Sequence, residues 1–294
     1  YVNAPGYGTG GPYGGRPAYA PSIGAAGGIA LTDAPDAAQK TGSLDDVKKS
    51  AVRLNAAAAI PSLQADGAAA LAVASTILLA LLARRRGRPV APLTTTMLAT
   101  VTHLLADRAV DYTGRRPSPC VDEDAYGYCA LYRLYPAADG WVFLAAPTAK
   151  DWDGLVAVPE FAALGEDERF GSPASREKHD AALAGALGTI FAGRPAAEWE
   201  EQLTAAGVGC VVAHEGPPER LLQSDEALAA EYTATAVSPV FEDHLRLAPA
   251  IRFSRSATQA KGGCLAGQHT DAILGELGYS PESIADLRER QVIG

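Results

Sequence analysis

Leu63-Gln64-Ala65-Asp66-Gly67, running into the apolar stretch Ala68–Ala83 and the basic cluster Arg84-Arg85-Arg86, decides how this chain is read. Alanine and leucine dominate the stretch and no proline interrupts it, so the sequence predicts an α-helix ending near the arginines. Asp66 then falls at or near the N-cap. There its carboxylate has two readings. It can accept a hydrogen bond from an orphan N–H of the first turn. It can equally serve as a nucleophile, with the same N–H groups and the helix dipole stabilising the charge that develops in acyl transfer. Gly67 leaves room for a substrate to approach. The apolar run spans sixteen residues, short of the roughly 20 that cross a bilayer, and it is Ala-rich with an acid at its mouth. A helix buried on most sides within a layered fold is the expectation.

The 294 residues are 48% hydrophobic, enough for one large domain or two smaller ones with a real core. A formal charge of -9 and a pI near 5.1 argue against a nucleic-acid footprint and against a general affinity for anionic membranes. Any anionic ligand must therefore be met by local donors. Cys120, Cys129, Cys210 and Cys264 have no paired metal-ligand spacing and are too few for a disulfide framework, so a cytoplasmic location and no metal are expected. The first residues, Tyr1-Val2-Asn3-Ala4-Pro5-Gly6, do not read as a secretory leader, and a start inside a strand-to-loop passage suggests that residues precede it.

Gly6-Tyr7-Gly8-Thr9-Gly10-Gly11-Pro12-Tyr13-Gly14-Gly15 is rich in glycine. A dinucleotide loop needs a preceding strand and a following helix, whereas Pro12, Pro17 and Pro21 follow here. The stretch reads as a tight surface or pocket-lining loop, whose tyrosines line a ligand site or merely pack the loop down. Pro21–Leu31 suits a closely packed helix through Gly24, Gly27 and Gly28. Thr32–Val52 reads as an exposed connection, Arg53–Ile60 as strand-like or helical, and Leu93–Ala106 as a second, partly polar helix. His103 in that helix is expected to be a packing or surface residue.

Gly114–Pro119 and the acidic turn after it mark a boundary. Tyr126–Tyr135 and Gly140–Ala146 read as a hairpin turning at Asp139-Gly140. Helices are expected around Asp151–Val158, Ser175–Phe191 and Ala196–Ala206, with Pro195 in a first-turn position. A strand at Val208–Val212 and a helix from Pro217 follow. Two strands over Val237–Phe253 and helices from Thr270 or Asp271 and from Pro281 complete the chain, Gly278 closing the first of those helices.

Three of these stretches, Gly6–Pro17, the Asp66 segment through Arg86, and Leu265–Ser280, stand in the order found in the family III acyl-coenzyme A transferases. The chain resembles that group of formyl-CoA and carnitine-CoA transferases and α-methylacyl-CoA racemases over essentially its whole length. The resemblance implies that Asp66 attacks the acyl carbon of a thioester, passing through a mixed anhydride and an aspartyl-CoA thioester before a carboxylic acid acceptor takes the coenzyme A. It implies acyl-CoA and a small carboxylic acid as substrates and no tightly bound cofactor, while the acidic charge leaves no nucleic-acid or membrane partner expected. Tyr7, Gly8, Gly10, Gly11 and Tyr13 become candidate residues for binding the coenzyme. The family's racemases use a histidine ahead of the aspartate. Arg16–Ser22 has none, so transfer is preferred to the alternative of an acyl-CoA racemase or isomerase, and a non-catalytic subunit of a two-part transferase is a second alternative.

The fold implied is α/β. An incomplete Rossmann-like large domain, residues 1–116 and 237–294, is joined by a smaller mixed α/β domain, residues 117–236, and the C-terminal segment returns to the large domain. The chain departs from the family at Gly87-Arg88-Pro89-Val90-Ala91-Pro92, and it lacks an evident glycine-rich closing loop near Asp124–Tyr128. The family's amino-terminal part is expected from residues outside this sequence or from a partner, in an interlocked homodimer or with a complementary subunit. The chain by itself is then expected to expose apolar surface.

Overall fold

The structure is a computed structural model; it describes all residues except 30–41, 123, 218 and 239–241, and only the backbone of residues 53–64. It is a mixed α/β chain that divides into two compact units, Tyr1–His214 and Glu215–Gly294.

The first unit opens with β1 (Val2–Asn3), the glycine loop, and helix α1 (Ala20–Gly27), which Gly28 closes in a left-handed conformation at φ 76°. Helix α2 runs from Leu44 to Arg85. Its cap is Ser43, whose hydroxyl accepts the Asp46 N–H while the Asp46 carboxylate accepts the Ser43 N–H at 3.0 Å. The expected connection is thus helical from Leu44 onward, and its residues 32–41 lie outside the described residues. The backbone over 53–60 is helical too. The helical backbone continues through Pro61.

Strand β2 (Leu93–Thr94) pairs with β1 in parallel, Val2 opposite Leu93 and Asn3 opposite Thr94. Helix α3 (Met97–Leu104) follows, starting later than expected because the Thr96 hydroxyl accepts the Ala99 N–H at 3.0 Å and so acts as its N-cap. A small core of Ala20, Ile23, Ile29, Ala65 and Val101 joins α1, α2 and α3. The approach of α1 to α3 is close enough that a Cβ at Gly27 would lie 2.7 Å from Val101.

A larger core in the same unit is built on the antiparallel sheet β3 (Gly127–Cys129), β4 (Tyr132–Pro136), β5 (Trp141–Ala145) and β6 (Gly209–Ala213), in that order. On β5 alternate residues Val142 and Leu144 are fully buried, the period-two signature of a sheet with one face covered. Helices α4 (Ala149–Val156), α5 (Pro173–Lys178), α6 (Asp180–Phe191) and α7 (Ala196–Ala205) supply much of the cover. Pro195 is the N-cap of α7 rather than its first turn, and the hairpin's Asp139 accepts the Ala196 N–H at 2.7 Å. The turn and the helix therefore fix each other.

Trp199 lies at the centre of this core, within 5.4 Å of the Phe161 ring and 5.5 Å of the Phe191 ring, and its indole N–H donates to the Phe191 carbonyl. Trp199→Ala is expected to destabilise the protein by about 3–5 kcal/mol, the cost of deleting a buried aromatic side chain. Urea unfolding read by circular dichroism checks this. A loss below about 1 kcal/mol would mean that the cavity collapses.

The second unit holds the antiparallel pair β7 (Thr233–Ser238) and β8 (Glu242–Leu247), which lies earlier in the chain than the expected strands. Helices α8 (Thr270–Glu276) and α9 (Pro281–Glu289) follow, tied by an Arg288–Asp271 ion pair at 2.5 Å, with Gly278 at φ 89° between them.

The apolar half of α2 is not buried on most sides. Ala65–Arg85 is strongly apolar, yet almost none of it is buried. Leu71, Leu78 and Leu79 are 71%, 66% and 66% exposed. Among the described residues the helix packs on α1, α3 and β1, and a sequence apolar all round carries no periodicity to show which sides have neighbours. The exposed apolar surface expected of this chain is therefore present, and α2 forms its most continuous stretch.

Candidate active site

The glycine loop is a closed turn rather than an open tether. Gly14 N–H donates to Gly11 O at 3.2 Å, Gly15 N–H to Gly8 O at 3.3 Å, and Arg16 N–H to Tyr13 O at 3.3 Å. Gly8, Gly11 and Gly15 hold φ of 100°, 77° and 72°, a region that side chains with a Cβ avoid. Tyr7 and Tyr13 stack with ring centres 5.6 Å apart, and the Arg16 guanidinium sits 4.8 Å over Tyr13. Gly10 and Gly11 are exposed at the tip, and Gly8 is half-buried. The loop is anchored to α3, whose Met97 and Leu98 N–H groups donate to Pro5 O and Gly6 O.

Gly8→Ala is expected to cost about 1–2 kcal/mol, because an L-residue must hold a positive φ. Gly10→Ala is expected to be close to neutral, since a Cβ there meets nothing within 4 Å. Thermal unfolding of the two variants separates strain from crowding.

Asp66 is not at a helix start. The cap is Ser43, and Asp66 lies about six turns into α2. Its neighbouring N–H groups belong to the helix ladder, so neither orphan donors nor the N-terminal dipole act on it. The misplacement has a local cause. The sequence at Asp66-Gly67 has the form of a start signal, but the alanine-rich stretch before it continues the helix.

What the structure does bring together is Ala65 and the loop. Ala65 is fully buried in the core of α1, α2 and α3, and Tyr7 packs against that same core. Asp66, the next residue, is exposed at its edge. Of the five loop residues Tyr7 thus shares a core with Ala65, and Asp66 follows Ala65 in the chain. Asp66 lines none of the described cavities. A groove of about 820 Å³ begins further along α2, where Val73, Ile77 and Leu81 face Tyr1, Val90 and Pro92. Val73 is about two turns, roughly 10 Å, beyond Asp66.

Sequence reasoning missed Thr96, which caps α3 and whose methyl lies 3.7 Å from where a Cβ on Gly8 would be. The signal was available: a threonine directly before an apolar run is an N-cap pattern.

Comparison with known proteins follows the same lines. A family model described as CoA-transferase family III matches residues 1–270. A protein of Mycobacterium tuberculosis named probable fatty acyl-CoA transferase Rv3272 is 27% identical over 224 residues, covering 73% of this chain and 52% of that protein. The chain therefore spans about half the length of that curated relative. A crystal structure of Rv3272 superposes with TM-score 0.67 at 20% identity, covering 92% of this chain and 67% of that one. A CAIB/BAIF family protein from Brucella suis superposes with TM-score 0.59 at 22% identity, covering 94% of this chain and 67% of its own.

Proposed function

Because this chain belongs to CoA-transferase family III, we propose that it moves coenzyme A from an acyl-CoA donor to a carboxylic acid acceptor, with Asp66 as the nucleophile. A carboxylate oxygen of Asp66 attacks the thioester carbonyl, the C–S bond breaks, and the coenzyme A thiolate leaves a mixed anhydride. The thiolate attacks the aspartyl carbonyl, freeing the donor acid and forming an aspartyl-CoA thioester. The acceptor carboxylate attacks that thioester, the thiolate leaves again, and it then attacks the acceptor's carbonyl to give the new thioester and restore Asp66. No water is consumed, so water must be kept away.

What supports this reading is that Ala65, the residue before Asp66, is buried in a core against which Tyr7 of the glycine loop also packs. Since the helix start is remote, charge stabilisation must come from elsewhere. Exposed N–H groups of the loop around Gly10 and Gly11 are the assignment we make, with Tyr7, Gly8 and Tyr13 shaping the coenzyme site.

Asp66 is exposed, so the working site needs cover. We assign this to residues outside the 294, either preceding this sequence or from a partner in an interlocked dimer or a complementary subunit. The parallel pair β1–β2 beside α2 supports a Rossmann-like large domain that further strands complete, because parallel sheets are normally covered on both faces. In that arrangement residues 1–116 and 237–294 form the large domain, residues 117–236 the small one, and the assembled enzyme works in the cytoplasm.

Incubating the assembled enzyme with acyl-CoA and hydroxylamine tests the assignment. An aspartyl hydroxamate on the peptide containing Asp66 is expected, and modification elsewhere removes Asp66 from the role. A second reading, a non-catalytic subunit, is favoured by the position of Asp66 outside every described cavity. It predicts unchanged turnover when Asp66→Ala is placed in the assembled complex.

A further inference from the structure

The antiparallel-sheet part of the first unit contains a cleft of about 550 Å³ that the thioester chemistry does not use. Its apolar lining includes fully buried Leu183 and half-buried Leu131 and Cys129, with exposed Pro117 and Pro173 at its rim. Its charged lining is Arg176, Glu177 and Asp180. A cavity of this size, largely apolar with a few polar groups, has the form of a small-molecule site.

Arg176 is the unusual member. It is only 8% exposed, its guanidinium lies 4.4 Å over the Trp152 ring, and one N–H donates to the Phe170 carbonyl at 2.8 Å. Pinning the Phe170 turn accounts for that single bond. A guanidinium has five donors, and no ion pair among the described residues includes this one. Burial lowers its pKa, opposed in part by Asp153.

Asp180 is four residues on, in the same cleft. One of its oxygens accepts the Ala130 N–H at 2.8 Å, and its other oxygen has no hydrogen bond among the described residues. Among the described residues it is in no ion pair either. Arg176 and Asp180 therefore line one cleft without closing on each other. A simple anion placed here would face Asp180 and Glu177 as well as Arg176, and a simple cation would meet Arg176. A ligand bearing both charges satisfies both ends, since buried charges are stable only when paired.

We propose that this cleft binds a small zwitterion of the apolar α-amino-acid type, its carboxylate on Arg176, its ammonium on Asp180 with Glu177 at the rim, and its side chain against Leu131 and Leu183. The site is independent of the acyl-transfer reading. It would make the small domain responsive to an amine-bearing metabolite whether or not Asp66 is the nucleophile.

The 294-residue chain titrated calorimetrically with L-leucine, N-acetyl-L-leucine and L-leucine methyl ester tests this. Alkylation of Cys129 in the cleft, followed by peptide mass, gives a second readout. Leucine is expected to bind and to slow Cys129 alkylation, and blocking either end should weaken binding at least about tenfold. Asp180→Asn keeps an oxygen for the Ala130 N–H and should abolish the preference for leucine over its N-acetyl derivative. Arg176→Lys keeps the charge and loses the fork, so it should reduce the preference for leucine over its methyl ester without abolishing it. Equal binding of the three compounds overturns the proposal, as does full Cys129 reactivity in leucine at about 10 mM, a concentration that would fill a millimolar site.

Discussion

Asp66→Asn in the assembled enzyme is expected to lower turnover of acyl-CoA by at least about a thousand-fold, the scale seen when a covalent nucleophile is removed. The amide is nearly isosteric and α2 has no structural use for the charge, since the side chain is exposed and makes no ion pair among the described residues. Folding should therefore be unchanged within about 0.5 kcal/mol, the ordinary range for a surface substitution. That combination separates chemistry from stability. A purely structural role would move the melting temperature and leave the reaction rate per folded molecule alone. The acyl-enzyme should also vanish, so that hydroxylamine no longer labels the peptide and exchange of labelled coenzyme A into acyl-CoA stops. Retained exchange in Asp66→Asn would place the nucleophile at another residue.

Much of the sheet domain was legible because its signals are local. Val142 and Leu144 alternate with Trp141, Phe143 and Ala145, and Asp139-Gly140 marks the hairpin between β4 and β5. The glycine loop was legible for the same reason, since Gly8, Gly11 and Gly15 stand where the backbone takes positive φ. Around Asp66 two local signals conflict. An acid followed by glycine at the head of an apolar run reads as a helix start, yet alanines on its N-terminal side cost a helix almost nothing to extend, and the real cap is Ser43 with Asp46. That Ala65 and Tyr7 meet one core was not legible, because it depends on how α1, α2 and α3 cross. Arg176 gave no warning either. It sits in an ordinary polar helix sequence, and only tertiary packing buries it beneath Trp152.

Leu78→Glu combined with Leu79→Glu is expected to leave the fold of the isolated chain nearly intact while abolishing its assembly into a complete enzyme. Both side chains are 66% exposed here and sit on a helix whose caps and packing residues lie elsewhere, so the double change removes few contacts within the chain. Their burial against a covering layer would contribute about 1.5–3 kcal/mol each. Placing two carboxylates there instead adds a desolvation cost of several kcal/mol per unpaired charge. Together these exceed 5 kcal/mol, a weakening of association by more than about a thousand-fold. In the wild-type chain the same face should drive self-association at micromolar concentration and bind a hydrophobic dye, and both should fall sharply in the double variant. Sedimentation velocity with and without the substitutions decides the matter. If the variant assembles as the wild type does, then α2 faces solvent in the working protein, and water would reach Asp66 too freely for an anhydride to survive.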